Sequence, residues 1–190
     1  MAAVSAAPAW GQVGNGDMPP RSELALGYTY LHSNAPPGGC GCFNLNGGNA
    51  TYAWQLKPAQ PGSSVYSLVG DVTAAHAGNF SSAAYSLTLS VYTVGVRYRL
   101  HSGHSSLQPF GQVLAGFAHS SGTLVQGQST AASNAGAAFA ANVGGGADLH
   151  LNGRFSIRLA DVDYLVTTFD NGSNNHQNNL RVSTGVVIHF

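Results

Sequence analysis

Histidine and cysteine are the side chains through which this sequence could bind a metal or carry out nucleophilic chemistry, and neither occurs in a catalytic pattern. The chain has 8 histidines and 2 cysteines among its 190 residues. It contains no H-E-x-x-H motif, which would place two histidines on one face of a helix, and no G-x-S-x-G, P-loop or dinucleotide fingerprint. The sequence therefore predicts no metal site, no cofactor and no catalytic residues.

The two cysteines stand one residue apart, as Cys40-Gly41-Cys42, in a stretch rich in glycine and proline. In an oxidising compartment such a pair can form a disulfide, although so short a ring is strained. A metal site would need further ligands, and none stands close by in the sequence. We favour a disulfide between Cys40 and Cys42 that staples a loop.

Charge is scarce and balanced. Only 7% of the residues are charged and the net charge is zero, whereas an average soluble domain has roughly 25% charged residues. Without a basic patch the chain is not suited to neutralise the phosphates of nucleic acid. Disorder is disfavoured too, because 44% of the residues are hydrophobic and disordered chains combine low hydrophobicity with high net charge.

Residues 178–190 show the clearest structural pattern, an alternation with the period of a β-strand. One face is apolar but for a single threonine, and the other is mostly polar or small. The apolar face is formed by Leu180, Val182, Thr184, Val186, Ile188 and Phe190. A half-buried strand of a soluble protein could alternate in this way, but such a strand rarely stops at a terminal aromatic residue.

Similar alternation predicts eight strands in all, with a type I′ hairpin at Asn152-Gly153. A change of apolar parity in the seventh strand predicts a β-bulge near Ala160-Asp161; the faces of the fifth strand cannot be assigned. The predicted strands are 23–31, 49–56, 65–75, 90–100, 107–118, 139–151, 154–169 and 178–190.

These strands fit a membrane-spanning barrel. Many approach the ~9–11 residues of a tilted membrane strand, and their connections alternate between long and short, as in outer-membrane barrels. Because lipid offers no hydrogen bonds to the backbone, the strands must close on themselves. We predict an all-β, eight-stranded, antiparallel up-and-down transmembrane barrel over residues 23–190. Residues 1–22 would be a poorly ordered leader, in which Ala7-Pro8-Ala9 marks the remnant of a signal peptide.

The two faces of the predicted strands give two candidate sets of functional residues. Inward charges would pair in the lumen, because buried charges persist only when they are paired and hydrogen-bonded. This predicted charge network comprises Glu23, Asp71, Arg97, Arg99, Asp148, Arg158, Asp163 and Arg181. Outward aromatic residues would form the girdles at the membrane surfaces. They are Tyr28, Tyr30, Tyr52, Trp54, Tyr66, Tyr92, Tyr98, Tyr164 and Phe190.

From residue 23 to residue 190 the chain resembles the small, roughly eight-stranded outer-membrane barrels of the OmpA-like and opacity-protein type, and acidobacterial members in particular. The resemblance is carried by Gly27-Tyr28-Thr29-Tyr30, Val96-Arg97-Tyr98, Pro109-Phe110-Gly111, Arg158 with Asp163-Tyr164, and the closing strand. It implies a monomer in outer-membrane lipid, with both barrel termini periplasmic and a structural or surface-interaction role. It also implies that the barrel-assembly machinery recognises Val186, Ile188 and Phe190.

Two alternatives remain open. A soluble barrel of the lipocalin type would turn the same apolar face inward around a ligand, and parity alone does not say which face is inside. A lipid-modifying barrel enzyme is the weaker alternative, since His119-Ser120-Ser121 resembles the histidine and serine of barrel-borne lipid A deacylases. Low charge and the terminal Phe190 favour the membrane barrel, and we expect it to have no enzymatic activity.

Overall fold

The computed structural model describes residues 21–33, 43–57, 63–78, 86–100, 105–122, 137–169 and 176–190. They form one closed barrel in which every strand pairs antiparallel with the next and β8 pairs with β1. The strands are β1 Ser22–Ser33, β2 Phe43–Gln55, β3 Val65–Gly78, β4 Ser86–Arg99, β5 Leu107–Gly122, β6 Ala137–His150, β7 Phe155–Thr167 and β8 Gln177–His189. The predicted fold class is confirmed.

The seam between the first and last strands is closed by a regular ladder. Residues along the whole of β1 pair with β8, from Glu23 opposite His189 to Ser33 opposite Asn179. Ser22 and Phe190 exchange two backbone hydrogen bonds, of 3.0 and 2.9 Å. No sheet edge is left open between these strands, and this is the condition for a sheet to sit in lipid.

The predicted bulge in β7 is confirmed. The register against β8 shifts between Arg158 and Asp161, and the Thr184 hydroxyl donates a 2.8 Å hydrogen bond to the Arg158 backbone carbonyl at this point. Both Arg158 and Asp161 are buried in the barrel although they are three residues apart. Without the bulge, strict alternation would turn one of them towards the outside.

Several strands start or end further from the predicted bounds than expected. β2 begins at Phe43 rather than at residue 49, β3 continues to Gly78, and β4 begins at Ser86. The reason is a reversal of polarity: Phe43 and Leu45 are buried whereas Asn44 and Asn46 are exposed. The sequence argument looked for apolar residues on the outward parity and therefore read these strand extensions as loops.

The two ends of the barrel differ in their connections. The turn end carries the connections 56–64, 100–106 and 151–154, together with Ser22 and Phe190; the loop end carries 34–42, 79–85, 123–136 and 168–176. The predicted difference in length between the loop-end and the turn-end connections is smaller than expected, because the strand extensions shorten the loops. It persists between the long 123–136 and the short 151–154 connections.

Some predictions lie outside the described residues. They concern the leader up to residue 20 and the disulfide between Cys40 and Cys42. Among the residues that the structure does describe, no helix is long and apolar enough to cross a membrane.

Candidate functional site: the filled lumen and its two zones

The lumen is the candidate site, because it gathers nine of the twelve lysine, arginine, aspartate and glutamate side chains that the structure describes. Along each strand buried and exposed side chains alternate, as the pleat requires. Large apolar side chains occupy the exposed parity; Tyr66, Val94 and Val113, for instance, are 60%, 57% and 59% exposed. Arg97, Arg158 and Arg181, on the other parity, are each 1% exposed.

The first cluster of buried charges lies at the turn end, centred on Glu23. Arg97 Nη1 lies 3.0 Å from Glu23 Oε1, and Arg99 Nη1 lies 2.5 Å from Glu23 Oε2. Arg99 Nη2 is also 2.7 Å from Asp148 Oδ2. The other carboxylate oxygen of Asp148, Oδ1, is 2.9 Å from Arg158 Nε. Five residues from β1, β4, β6 and β7 thereby form one chain of alternating charge.

An aromatic ring lies close to all three arginines of this cluster. The guanidinium carbons of Arg97 and Arg158 lie 4.4 and 4.8 Å from the centroid of the Phe110 ring, and that of Arg99 lies 5.9 Å away. Cations are attracted to the electron-rich face of an aromatic ring at such distances. Phe110 therefore both fills the lumen and stabilises positive charges that would otherwise repel each other.

A second cluster lies further towards the loop end, around Arg181. Its guanidinium reaches Asp71 Oδ1 at 2.5 Å and also binds the Asp163 carboxylate. Thr51 and Thr73 donate hydroxyl hydrogen bonds of 2.7 and 3.0 Å to the two oxygens of Asp71. Each charge in this cluster therefore has its partners in place, which a buried ion pair needs to offset its desolvation.

Gln112 joins the two clusters. Its carbonyl oxygen accepts hydrogen bonds of 3.0 and 2.7 Å from Arg97 Nε and Nη2. Its amide nitrogen is 3.1 Å from an oxygen of Asp161 and 3.1 Å from an oxygen of Asp163. Asp161 is also 3.6 Å from Arg158 Nη1. One neutral side chain on β5 therefore binds both an arginine and two carboxylates.

All eight residues of the predicted charge network are buried, and every one takes part in at least one of these ion pairs. Sequence reasoning missed Gln112, Phe110 and Asp161. The first two lie on β5, whose faces were not assigned, and Asp161 lies in the bulge, where parity changes. The available signal for the inward face of β5 was a pair of glutamines four positions apart, Gln108 and Gln112.

The loop-end half of the lumen is filled differently, by an apolar cluster. We call this cluster the apolar plug; its members are almost completely shielded from solvent, and Leu87 and Phe169 pack against it. It consists of Leu31, Phe43, Leu45, Ala75, Ala77, Leu89, Val91, Ala118, Ala140 and Leu165. The sequence argument did not foresee the plug, because it assigned polar residues to the inward face throughout.

On strands β1 to β5 the barrel surface outside the apolar plug is largely polar. We call this band the polar collar; it is formed by His32, Asn44, Asn46, His76, Thr88, Ser90 and His119, on five consecutive strands. Several of its members bond across strands: His32 Nδ1 lies 2.7 Å from Asn44 Oδ1, and His76 Nδ1 lies 2.9 Å from Thr88 Oγ1. At the turn end the barrel is thus apolar outside and charged inside. Beside the collar it is polar outside and apolar inside.

The predicted girdle residues lie on the outward parity, where all are exposed except the half-buried Tyr30. Neighbouring strands bring some of them together: the ring centroids of Tyr66 and Tyr98 are 4.9 Å apart, and those of Tyr52 and Phe190 are 6.3 Å apart. Tyr92 stacks at 5.1 Å on Phe117. Tyr52, Trp54, Tyr66, Tyr98 and Phe190 lie towards the turn end, and the others lie closer to the collar.

A serine, a histidine and a glutamate line up at the turn end in the order of a catalytic triad. Ser156 Oγ lies 2.7 Å from His189 Nε2, and His189 Nδ1 lies 3.7 Å from Glu23 Oε2. His150 Nδ1 approaches the same hydroxyl at 3.2 Å. Ser156 is only 1% exposed, and both oxygens of Glu23 are bound by arginines. The geometry therefore describes a hydrogen-bonded closure of the lumen rather than an accessible nucleophile.

The histidine and serines that suggest a lipid-modifying enzyme lie at the loop end of β5. His119 and Ser121 are both exposed on the outer face, two residues apart, whereas Ser120 lies on the opposite face. No group of three or more His, Cys, Asp or Glu side chains within the described ranges could hold a metal ion.

The likeness to known proteins lies in the fold rather than in the sequence. No family model matches the chain, and no curated protein does either. Among solved structures, the attachment invasion locus protein Ail of Yersinia pestis has a TM-score of 0.58 at 16% identity, covering 91% of this chain and all (100%) of Ail. Neisserial surface protein A has a TM-score of 0.59 at 13% identity, covering 89% of this chain and 97% of that protein.

A third similar structure is the outer-membrane protein OprG of Pseudomonas aeruginosa, with a TM-score of 0.51 at 12% identity, over 92% of this chain and 98% of OprG. The predicted resemblance is confirmed at the level of the fold. The chain thus has the architecture of the small, eight-stranded outer-membrane β-barrels.

Proposed function

We propose that this chain is a bacterial outer-membrane barrel with a structural or surface-interaction role and without enzymatic activity. The observation that carries the proposal is the distribution of polarity at the turn-end half of the barrel. There the surface is a continuous apolar band. Between the turn end and the apolar plug, the lumen holds nine charged side chains, the eight predicted ones and Asp161. Such a surface suits hydrocarbon, and the closed ladder satisfies the backbone.

The lipocalin-like alternative fits this distribution poorly. A soluble ligand-binding barrel turns its apolar face inward around a cavity. Here nine charged side chains point into the lumen, and the apolar plug fills its loop-end half with side chains that leave almost no solvent exposure. We therefore infer a lumen without a ligand site or a conduit for solutes.

We further propose that the turn end, with both barrel termini, faces the periplasm and that the loop end faces outwards. The polar collar supports this orientation, because a water-facing band beyond the membrane suits the end that carries the longest connection, residues 123–136. The chain would be a monomer surrounded by outer-membrane lipid, folded by the barrel-assembly machinery.

A surface-interaction role would differ from one based on polyanions. Ail has been crystallised with the heparin analogue sucrose octasulfate, a highly charged anion. In this chain the loop-end segments 34–42, 79–85, 123–136 and 170–175 contain neither lysine nor arginine. They are rich in serine, asparagine, glycine and alanine, so we propose that any surface partner is bound by hydrogen bonds rather than by charge.

Folding in micelles tests the membrane proposal. After refolding in detergent, the protein should migrate differently on SDS gels before and after heating, because a closed barrel resists SDS until it is heated. The control is the same protein diluted into detergent-free buffer, where it should not fold. A monomer that unfolds cooperatively in plain buffer would overturn the proposal and favour the lipocalin-like barrel.

The absence of enzymatic activity is tested at two serines: Ser156, whose hydroxyl lies 2.7 Å from His189 Nε2, and the exposed Ser121, which shares the outer face of β5 with His119. The folded barrel should not be labelled by a fluorophosphonate, which reacts with activated serines. The variants Ser156→Ala and Ser121→Ala are the controls that distinguish specific labelling from background. Labelling of the wild-type barrel that is lost in either variant would contradict the proposal and point to the enzyme alternative.

A further inference from the structure

Within the described ranges, the outer surface carries lysine and arginine at one end only. Arg21, Lys57 and Arg154 are exposed and lie at the turn end, whereas the other described arginines are buried in the lumen. Every described aspartate and glutamate is buried as well. Among the described residues, these three cations therefore have no exposed acidic side chain to pair with.

Backbone hydrogen bonds place the three cations on one arc of the rim. The Arg154 carbonyl accepts a 2.8 Å bond from His189 N, and the Arg21 carbonyl accepts one of 2.8 Å from Gln55 N. Ser22 and Phe190 join the strands between them. The order around the barrel is thus Arg154 just before β7, then β8, Arg21 just before β1 and Lys57 just after β2. Three strand spacings of roughly 4.8 Å each give an arc of roughly 15 Å.

This cationic arc, formed by Arg21, Lys57 and Arg154, lies beside an aromatic group on the outer face. Trp54 and Tyr52 are both 46% exposed, and the Tyr52 hydroxyl donates a 3.0 Å hydrogen bond to Ser22 Oγ next to Arg21. The Phe190 ring is 6.3 Å from that of Tyr52. Amphipathic rings of this kind sit at the level of lipid headgroups, so the arc lies where the apolar band meets water.

The loop end provides the contrast within the same molecule. Its polar collar is built from histidine, asparagine, threonine and serine, with no lysine or arginine among its described members. The collar therefore offers neutral hydrogen bonds, whereas the arc offers positive charge.

We propose that the cationic arc binds the phosphate of an anionic phospholipid in the leaflet that contacts the turn end. Cationic side chains at a membrane surface attract anionic headgroups. The three cations of the arc lie at the ends of nearby strands, next to exposed aromatic rings. They therefore suit one headgroup whose acyl chains lie against the apolar band. This inference rests on the proposed membrane location and adds a lipid preference to it.

The test compares the lipids that stay bound to the folded barrel. Wild-type protein in nanodiscs of phosphatidylglycerol and phosphatidylcholine is released in the mass spectrometer, and the ratio of the two bound lipids is measured. We expect several-fold enrichment of phosphatidylglycerol over the bulk ratio, reduced by added salt because charges at this exposed rim are screened. A wild-type ratio equal to the bulk ratio would overturn the proposal.

Two triple variants make the test specific. Arg21→Gln, Lys57→Gln and Arg154→Gln together should return the bound lipid to the bulk ratio. The matched control, His32→Gln, His76→Gln and His119→Gln, alters the polar collar and should keep the enrichment. Enrichment that persists in the first variant would overturn the proposal. Each variant is first checked for the heat-dependent gel shift, so failure of the barrel itself is recognised separately from loss of lipid preference.

Discussion

Arg181 on β8 and Asp71 on β3 form an ion pair across the lumen, with Nη1 and Oδ1 2.5 Å apart. These strands are not neighbours, since β8 pairs with β1 and β7 while β3 pairs with β2 and β4. The pair therefore braces the barrel wall at two points that the backbone ladder does not connect directly. The same guanidinium binds Asp163 on β7, so one side chain holds three strands.

Removing this arginine should destabilise the barrel strongly. Arg181→Met would leave Asp71 and Asp163 buried without their cation, and breaking a buried ion pair costs about 3–5 kcal/mol. The measurement is urea-induced unfolding in micelles. Arg154→Met, which removes an exposed arginine at the rim, is the control and should change the free energy of unfolding by less than about 0.5 kcal/mol. Equal effects of the two variants would show that the brace contributes nothing.

A glycine in β6 should tolerate no side chain. A Cβ atom on Gly144 would lie 2.1 Å from the Val162 carbonyl oxygen and 2.3 Å from Asp163 Oδ1, so Gly144→Ala must displace either the backbone or the charge network. Gly70 is the matched control, because a Cβ there meets no atom within 4 Å. We expect Gly144→Ala to lower the midpoint of urea unfolding and Gly70→Ala to leave it unchanged or raise it. Similar midpoints would contradict this close packing of β6 against β7.

Gln112 should matter because it separates two carboxylates. Gln112→Ala removes the amide that binds both Asp161 and Asp163, and leaving such buried groups unsatisfied costs about 1–3 kcal/mol. Gln112→Glu should be more damaging at neutral pH, since it adds a third carboxylate. The difference between the two variants should narrow on acidification, as the repulsion between carboxylates is relieved. Val113→Ala, on the outer face, is the control; a pH-independent difference would refute the repulsion argument.

The apolar plug should behave as a soluble core. Leu165→Ala truncates a side chain that is 1% exposed, and such a change costs about 2–5 kcal/mol. Leu180→Ala is the control; this leucine is 45% exposed on the outer face and its truncation should lower the stability much less.

Because the plug fills the lumen, planar bilayers containing wild-type protein should show no conductance steps. Discrete ion channels at neutral pH would disprove the filled lumen.

Phe190 should act in assembly rather than in stability. It is 60% exposed, and its backbone bonds to Ser22 do not depend on the side chain, so Phe190→Ala should refold in micelles almost normally. In cells the same variant should assemble more slowly, if the machinery reads this residue. Phe139→Ala removes a comparably exposed aromatic residue from the other end of the barrel and serves as the control. Equal assembly rates for the two variants would remove Phe190 from the proposed signal.

Much of the wall was predictable because membrane strands repeat one simple rule. Alternation in residues 178–190 and 90–100 was enough to assign faces, and the change of parity after Leu159 was enough to predict the bulge. The assignment failed where the rule reversed, at Phe43 to Asn46, since buried apolar and exposed polar residues look like a loop when outward apolar residues are expected.

The contacts inside the lumen were not predictable, because they depend on the stagger of the strands around the closed barrel. Parity alone places Arg181 and Asp71 on the inner face, but only the registers of β8, β1, β2 and β3 bring them to the same height. Gln112 escaped notice for a different reason: β5 is rich in small residues, so its two faces hardly differ in hydrophobicity.

The reversal of polarity along the barrel sets how deeply it sits in a bilayer. If the hydrocarbon boundary moved by one outward residue towards the loop end, His32, His76 and Asn46 would lie in hydrocarbon. If it moved the other way, part of the apolar band would be exposed to water. Both displacements are unfavourable. The sequence therefore fixes the height of the hydrophobic band, and the bilayer must adjust its thickness to that height. In membranes of graded thickness, the barrel should therefore prefer the one whose hydrocarbon matches the height between the cationic arc and the polar collar.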